Sequence, residues 1–244
     1  MNVVLFGAEA DGLRAEIEKH SQLTVVDQNP DVVICFGGDG TLLAAELRWP
    51  SVPKAPIRNS RRGFRCIPHP PARVIERLAS DALVTNHFTK LECSVLCGGN
   101  PEPVFHISAL NEINVHMGNI NSAVRFKLWL DDQPYMDGLT ILGDGFVVST
   151  PFGSTAYFSQ ITRGLFHSGI GIAFKATAEH VDHLVTPDTT VIRTAITRGP
   201  AVLAYDNAPD YFNLDRGDEL IIRKHPLHAT LLTWDKIRHP WDIF

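Results

Sequence analysis

The chain has 244 residues, 44% of them hydrophobic and 20% charged, with a formal net charge of −5. That length holds one large domain or two modest ones around a sizeable core, in a composition typical of folded, soluble domains. Net negative charge without a long basic run gives no electrostatic case for nucleic acid, and no apolar run approaches the roughly 18–20 residues of a membrane span.

The chain opens on MNVVLFGAEADGLRAE, which lacks the basic region and cleavage site of a secretory signal and reads as a first strand. Asp11 to His20 reads as a helix, LTVV and DVVICFG as strands, Thr41 to Trp49 as a helix, KAPIR as a strand and Pro71 to Ala79 as a helix. Strands alternating with helices predict an α/β domain with a mostly parallel sheet over residues 1–82. From Leu83 the texture is β-rich, with FTKLECSVLC, VFHISALNEINVHM, SAVRFKLWLD and FVVST separated by turns such as GGNPEP, DDQP and GDG. GIGIAF, TVIRTAI, AVLAY, ELIIR and HATLLTW continue it, so a larger, sandwich-like β domain is expected over 83–233. The tail, 234–244, is expected to cross back to the first domain.

Cys35, Cys66, Cys93 and Cys97 form no paired C-x-x-C framework. Cys93 and Cys97 lack close histidine partners for a tetrahedral zinc site, so no protein-held metal is assigned. Reduced thiols in a cytoplasmic protein are the expectation. His106, His116 and His167 show no metal spacing and read as structural.

The segment VVICFGGDGTLLAAELRWP carries the first chemical signal. Ligands in open α/β sheets bind beyond the carboxyl ends of the strands, which is where GGDGT falls. Glycines admit close backbone approach and positive φ, and free amides at a helix start favour an anion. Gly37, Gly38, Gly40 and Thr41 therefore suit phosphate, with Thr41 as cap or donor. Asp39 is at odds with a pure phosphate cradle, because a carboxylate repels phosphate. It makes sense as acceptor of a proton from a nucleophilic hydroxyl, or as a partner of Mg²⁺. The segment is neither a Walker A loop nor G-x-G-x-x-G. A purely structural turn is the competing reading.

Two more segments complete a set. ALNEINVH places Asn111 beside Glu112 after a strand, and GDGFVVSTPFGSTAY joins a turn, a strand and a Ser/Thr/Gly-rich turn. In this order, GGDGT, NE and GDG…STPFGSTAY resemble the NAD kinase family, over about Asp31 to Asp206. GGDGT alone is less specific, since diacylglycerol-type lipid kinases and phosphofructokinases carry similar sequences.

The resemblance implies phosphoryl transfer from ATP, or polyphosphate, to the 2′-hydroxyl of the adenosine ribose of NAD, with Mg²⁺ or another divalent ion. It also implies a homodimer or homotetramer. By this resemblance Asp39 matches the catalytic base and Gly37, Gly38, Gly40 and Thr41 the donor turn. Asn111 and Glu112 match the pair that grips the adenine and ribose side, and Asp144 an acidic residue near the nicotinamide. Ser154, Thr155, Ala156 and Tyr157 match the turn lining the dinucleotide pocket, and Asp206 falls where the family has Asp-Gly. Asn59 and Phe64 are kept from a family loop seen here as NSRRGF, in which Arg61 and Arg62 are additional cations.

The chain departs from the family at Phe152 (usually Thr), at Leu142 (often basic) and in lacking Gly-Gly-Pro after Tyr157. The loss at Leu142 suggests that Arg61 or Arg62 replaces the missing charge near the pyrophosphate. Two other readings stand at this point: a GGDGT kinase acting on a sugar phosphate or lipid, and a catalytically silent dinucleotide-binding module.

Overall fold

The structure, a computed structural model, describes residues 1–61, 63–178 and 181–235. It begins with β1 (Asn2–Phe6), a 3₁₀ turn at Ala10–Leu13, α1 (Arg14–Ile17), β2 (Thr24–Val25) and β3 (Val32–Gly37). α2 (Asp39–Arg48), β4 (Lys54–Arg58), α3 (Pro71–Ala79) and β5 (Val84–Phe88) follow. Then come β6 (Leu91–Leu96), β7 (Phe105–Ala109), β8 (Glu112–Met117), β9 (Val124–Leu130), β10 (Gln133–Pro134), β11 (Ile141–Gly143) and β12 (Gly145–Ser149). After α4 (Tyr157–Thr162) the chain forms β13 (Ile170–Lys175), β14 (His183–Thr186), β15 (Ile192–Arg198) and β16 (Ala201–Tyr205). The last strands are β17 (Phe212–Leu214), β18 (Glu219–Lys224) and β19 (Ala229–Thr233).

Two compact units result, one from Met1–Phe88 with the segment returning at Leu227, the other from Thr89–Pro226. In the first, one sheet has the order β2-β1-β3-β4-β19-β5. All its pairings are parallel except β19 with β5. Parallel strands are covered on both faces and so read as continuous apolar runs; Val32 to Cys35 of β3 are all buried. α3 begins with Pro71 at its first turn, where the missing N–H costs nothing. Val74, Ile75 and Leu78 then form its buried stripe. The buried Lys54 ammonium donates to Glu46 and, at 2.6 Å, to the carbonyl of Trp49, which ties the end of α2 to β4.

The second unit is two antiparallel sheets, β10-β9-β15-β18-β6-β7 with β11 on β9, and β14-β13-β12-β8-β16-β17. Alternate residues of both feed one core. Cys93, Val95, Ile107, Phe126 and Ile222 come from the first sheet, and Ile113, Val115, Phe146, Val148 and Ile172 from the second. Two sheets sharing one apolar layer make a sandwich. The expected α/β unit and β-rich unit are thus both present.

Three details correct the sequence reading. The helix expected over Asp11 to His20 is only the Ala10–Leu13 turn and α1, because the amides of Lys19 and His20 return to the carbonyls of Glu16 and Ile17 as tight turns. α2 starts at Asp39 rather than Thr41, with Gly38 extended before it. β5 and β19, placed by composition in the β-rich domain, complete the first unit's sheet; composition reveals a strand but not its partner. Of the tail, only Trp234 and Asp235 are among the described residues. Among the described residues no helix is long and apolar enough to cross a membrane, and all four cysteines are free.

Candidate active site

The first unit's sheet reverses direction of growth between β1 and β3, since β2 lies on one side of β1 and β3, then β4, on the other. Ligand crevices form at such a switch point, beyond the strand ends. Gly7 follows β1 there at φ +134°, and a Cβ on it would stand 2.1 Å from the carbonyl oxygen of Phe36. A Cβ on Gly37 would stand 2.2 Å from Thr41 Oγ1 and 2.9 Å from its Cβ, and one on Gly38 2.8 Å from Ser60 Oγ. Close approach is therefore what requires these glycines. Positive φ is not: Gly37, Gly38 and Gly40 are absent from the left-handed positions.

Asp39 occupies the first turn of α2, where exposed amides stabilise negative charge. Its Oδ2 accepts the amide of Phe64 at 3.1 Å and its Oδ1 that of Arg65 at 2.7 Å. Each carboxylate oxygen has two lone pairs, so these bonds fix the group while acceptor capacity remains. The nearly buried Arg65 guanidinium is brought down to about 10 by burial, which the charge of Asp39 opposes. The Cys66 thiol, 3.7 Å from Asp39, is pushed up to about 12 by burial and by that carboxylate. It is an inert neighbour rather than a nucleophile. Asn59 closes the turn from the side: its amide donates to the carbonyl of Gly37 at 2.7 Å and its side chain to Glu9 at 2.8 Å. Phe64 and Arg61 are exposed, and Arg62 lies outside the described residues.

In the second unit the Asn111–Glu112 corner hangs on Asp206. One carboxylate oxygen of Asp206 accepts the amide of Leu110 at 2.7 Å, the other those of Asn111 at 2.7 Å and Glu112 at 3.2 Å. Asp206 itself has φ +45°, and its amide donates back to Glu112 at 3.1 Å. The STPFGS turn locks onto the same corner, with Thr150 Oγ1 donating to Leu110 O at 2.6 Å and accepting from the amide of Gly153 at 3.0 Å. A Cβ on Gly153 would lie 2.2 Å from the carbonyl oxygen of Asn111. Ser154 is fully buried, its hydroxyl engaged with the carbonyls of Pro151 at 2.8 Å and Phe166 at 3.1 Å. It fixes the turn, its one proton committed to these carbonyls. Thr155 ends the following 3₁₀ turn, Ala156 bridges it to α4 and Tyr157 begins that helix.

Strand register decides which side chains share a face. Across β8, β12 and β13 the rows are Glu112–Ser149–Gly171, Asn114–Val147–Ala173 and His116–Gly145–Lys175. Residues directly opposite each other point the same way, and Ile113, Val115, Phe146, Val148 and Phe174 fill the core on the other side. Glu112, Asn114, His116 and Lys175 thus share one polar face. Glu112 is 9% exposed, and its Oε2 has no hydrogen-bond partner. Burial, reinforced by Asp206, pushes its carboxyl up to about 8. Asp144 sits at the β11–β12 turn, its amide donating to the carbonyl of Lys175 at 2.8 Å. Gly145 beside it has φ +126°, and a Cβ there would meet the carbonyl oxygen of Val115 at 2.1 Å.

The anticipated residues therefore fall into two groups, each assembled within its own unit. Sequence reasoning missed Arg65, Asn114 and Lys175. The alternation in EINVHM was the available signal for Asn114; nothing local marked the other two.

The chain matches the model of the ATP-NAD kinase C-terminal domain over residues 110–233. It belongs to the ATP-NAD kinase family. The NAD kinase of Tolumonas auensis is 27% identical, with 99% of this chain and 82% of that protein covered. The NAD kinase of Paraburkholderia phytofirmans is 25% identical, covering 88% and 75%. The fold matches an NAD kinase from Archaeoglobus fulgidus in complex with ATP at TM-score 0.75 and 19% identity, over 95% of this chain and 93% of that one. It also matches the yeast NADH kinase in complex with NADH at TM-score 0.78 and 20% identity, over 90% and 68%.

Proposed function

We propose that the protein is an NAD kinase. In this reading the terminal phosphoryl group of ATP passes to the 2′-hydroxyl of the adenosine ribose of NAD; the hydroxyl loses its proton, the bond to the β-phosphate breaks, and NADP and ADP leave. The observation that carries this, in a member of the ATP-NAD kinase family, is Asp39: a carboxylate pinned by two backbone amides in a glycine turn at a helix start. Asp39 would take the hydroxyl proton, a role typically contributing about 10²–10⁴-fold. Gly37, Gly38, Gly40 and Thr41 would bind the donor phosphates. On the second unit, Asn111, Glu112, Asp144 and Tyr157 would bind NAD, with Asp206 and Ser154 shaping the corner and turn that present them. Asn59 and Phe64 would support the donor turn, and Arg61 and Arg62 would add phosphate contacts. Glu112, nearly buried with its Oε2 unpartnered, would meet a ribose hydroxyl other than the one that Asp39 deprotonates.

Mg²⁺ typically keeps several waters and takes one or two carboxylates plus substrate phosphates. No cluster of three or more ligating side chains exists among the described residues. The protein's share of such an ion would fall to Asp39, whose spare acceptor capacity fits it. The ion would supply neutralisation of phosphate charge. ATP is the donor put forward and polyphosphate the second to be tried. A cytoplasmic location and a homo-oligomer are part of the proposal, supported by the free thiols and, for assembly, by exposed apolar side chains such as Ile120 and Tyr211.

The test is NADP formation from NAD, ATP and Mg²⁺, with Asp39→Asn assayed alongside. Product from the wild type and a loss of about 10²-fold or more in the variant is expected. Equal rates would remove Asp39 as base. Binding of the dinucleotide without product from any donor would favour the silent module, and turnover on a sugar phosphate or lipid would favour the other kinase class.

A further inference from the structure

The polar face of β8, β12 and β13 carries one lysine or arginine, Lys175, which nothing in the motifs singles out. It ends a strand whose other residues are all buried, and is itself 6% exposed. Opposite it stands Gly145, so the side chain crosses a strand without an obstructing Cβ and reaches β8. There Nζ donates to Asn114 Oδ1 at 2.7 Å, and it lies 5.7 Å from the centre of the Tyr157 ring. An ammonium has three N–H donors. Asn114 takes one, and no second acceptor is present among the described residues. A nearly buried cation with unused donors is costly unless an acceptor arrives.

We propose that Lys175 is a further dinucleotide-binding residue: held by Asn114 beneath Tyr157, its ammonium donates to an oxyanion of the bound dinucleotide. This rests on reading the second unit as the dinucleotide half. The chemistry it selects is a phosphate-bearing ligand in preference to an uncharged nucleoside.

A consequence in protons follows. Burial brings the Lys175 ammonium down to about 7, although the charge of Asp144 works the other way. The other titratable groups around this site are Glu112 and His116 on the same face of β8, His183 of β14 with Asp182 hydrogen-bonded to it, Tyr157 of α4, Asp144, whose charge acts on Lys175, and Asp206, whose charge acts on Glu112. An oxyanion favours the charged amine, so binding above pH 7 draws in a proton, and affinity falls as pH rises. From pH 6 to pH 8 the apparent affinity is expected to weaken about tenfold from this group alone.

Calorimetric titration of NAD into the intact protein at pH 7.5, in two buffers of different ionisation enthalpy, measures the proton directly. Wild type is expected to take up more than half a proton more than Lys175→Arg, as a group titrating about half a unit below the working pH requires; the difference cancels any proton that Glu112 exchanges. Lys175→Met is expected to bind at least about tenfold more weakly and to lose that uptake, with kcat at saturating NAD changed less than KM. Lys175→Arg is expected to restore affinity without that share of the uptake, since a guanidinium stays charged. Equal affinity and equal uptake in wild type and Lys175→Met would overturn the proposal. Should Lys175→Met fail to fold, Lys175→Arg decides: the same uptake as wild type overturns it as well. NADP formation is scored separately. Wild type that makes NADP but takes up no more protons than Lys175→Arg loses only the role of Lys175, whereas wild type that binds no dinucleotide loses the kinase reading itself.

Discussion

Glu112 shows how one buried atom changes the behaviour of a whole chain. Its carboxyl titrates near 8 in the folded protein, against about 4.5 when free, because burial penalises the anion and Asp206 adds to the penalty. Between those values the native state holds a proton that the unfolded chain has released. Stability should therefore fall as pH rises from about 4.5 to about 8, with a slope approaching about 1.4 kcal/mol per pH unit. Lys175 acts in the opposite sense from about 7 upward, since its folded form loses a proton that the unfolded chain keeps. The clean window is thus pH 5 to 7. Glu112→Gln should flatten the decline there and be more stable than wild type at pH 7, as read from urea midpoints at successive pH values. Parallel curves for the two proteins would show that Glu112 is ionised in the fold. The same substitution should raise the KM for NAD above pH 8, where wild-type Glu112 is ionised and a carboxylate accepts a ribose hydroxyl's hydrogen bond more strongly than an amide oxygen does.

At the level of elements, two glycines of the site are constrained in different ways. Gly145 would place a Cβ against the backbone of β8, at positive φ, where neither strand can yield without breaking its ladder. Gly37 would press on Thr41, a side chain at the start of α2, and a small rotation of the helix start relieves it. Gly145→Ala should therefore cost about 3 kcal/mol or more, lowering Tm by on the order of 10 °C in a protein of this size. Gly37→Ala should lower Tm far less while reducing kcat at least about tenfold, because it shifts the turn that aims Asp39. Differential scanning calorimetry and NADP formation, measured on both variants, separate the two. A thermally weak but fully active Gly37→Ala would contradict the functional use of that turn. These elements also mark what was legible beforehand. α3 could be read to the residue, since Pro71 and the Val74, Ile75, Leu78 stripe are local signals. The start of α2 could not, because glycines carry no helical propensity and only the contacts of Asp39 with the Phe64–Arg65 amides fix it. Lys175 was invisible for a related reason: its meaning comes from facing Gly145 and Asn114 across strand register, which no spacing along the chain encodes.

At the scale of the molecule, the second unit is an insertion between two paired strands. Phe88 pairs with Ala229 in the first unit's sheet, and Leu91 pairs with Lys224 in the second, where the amide of His225 also donates to the carbonyl of Lys90. Both units therefore have their two chain ends side by side, which is the condition under which a segment can be excised without leaving a long loop to close. Residues 89–226 should fold alone, since both of their sheets and the core between them lie inside that span. The excised unit should unfold cooperatively in urea and bind NAD with the proton uptake assigned to Lys175. It should form no NADP, as Asp39 and the glycine turn are not in it. Residues 1–88 joined to 227–244 by a short glycine linker form the complementary piece, its sheet closed by a β5–β19 hairpin. Cooperative folding of the β unit with NAD binding intact would place dinucleotide recognition wholly within it. A folded β unit that fails to bind NAD would mean that recognition needs residues of the first unit, and the division of labour between Asp39 and Glu112 would have to be redrawn.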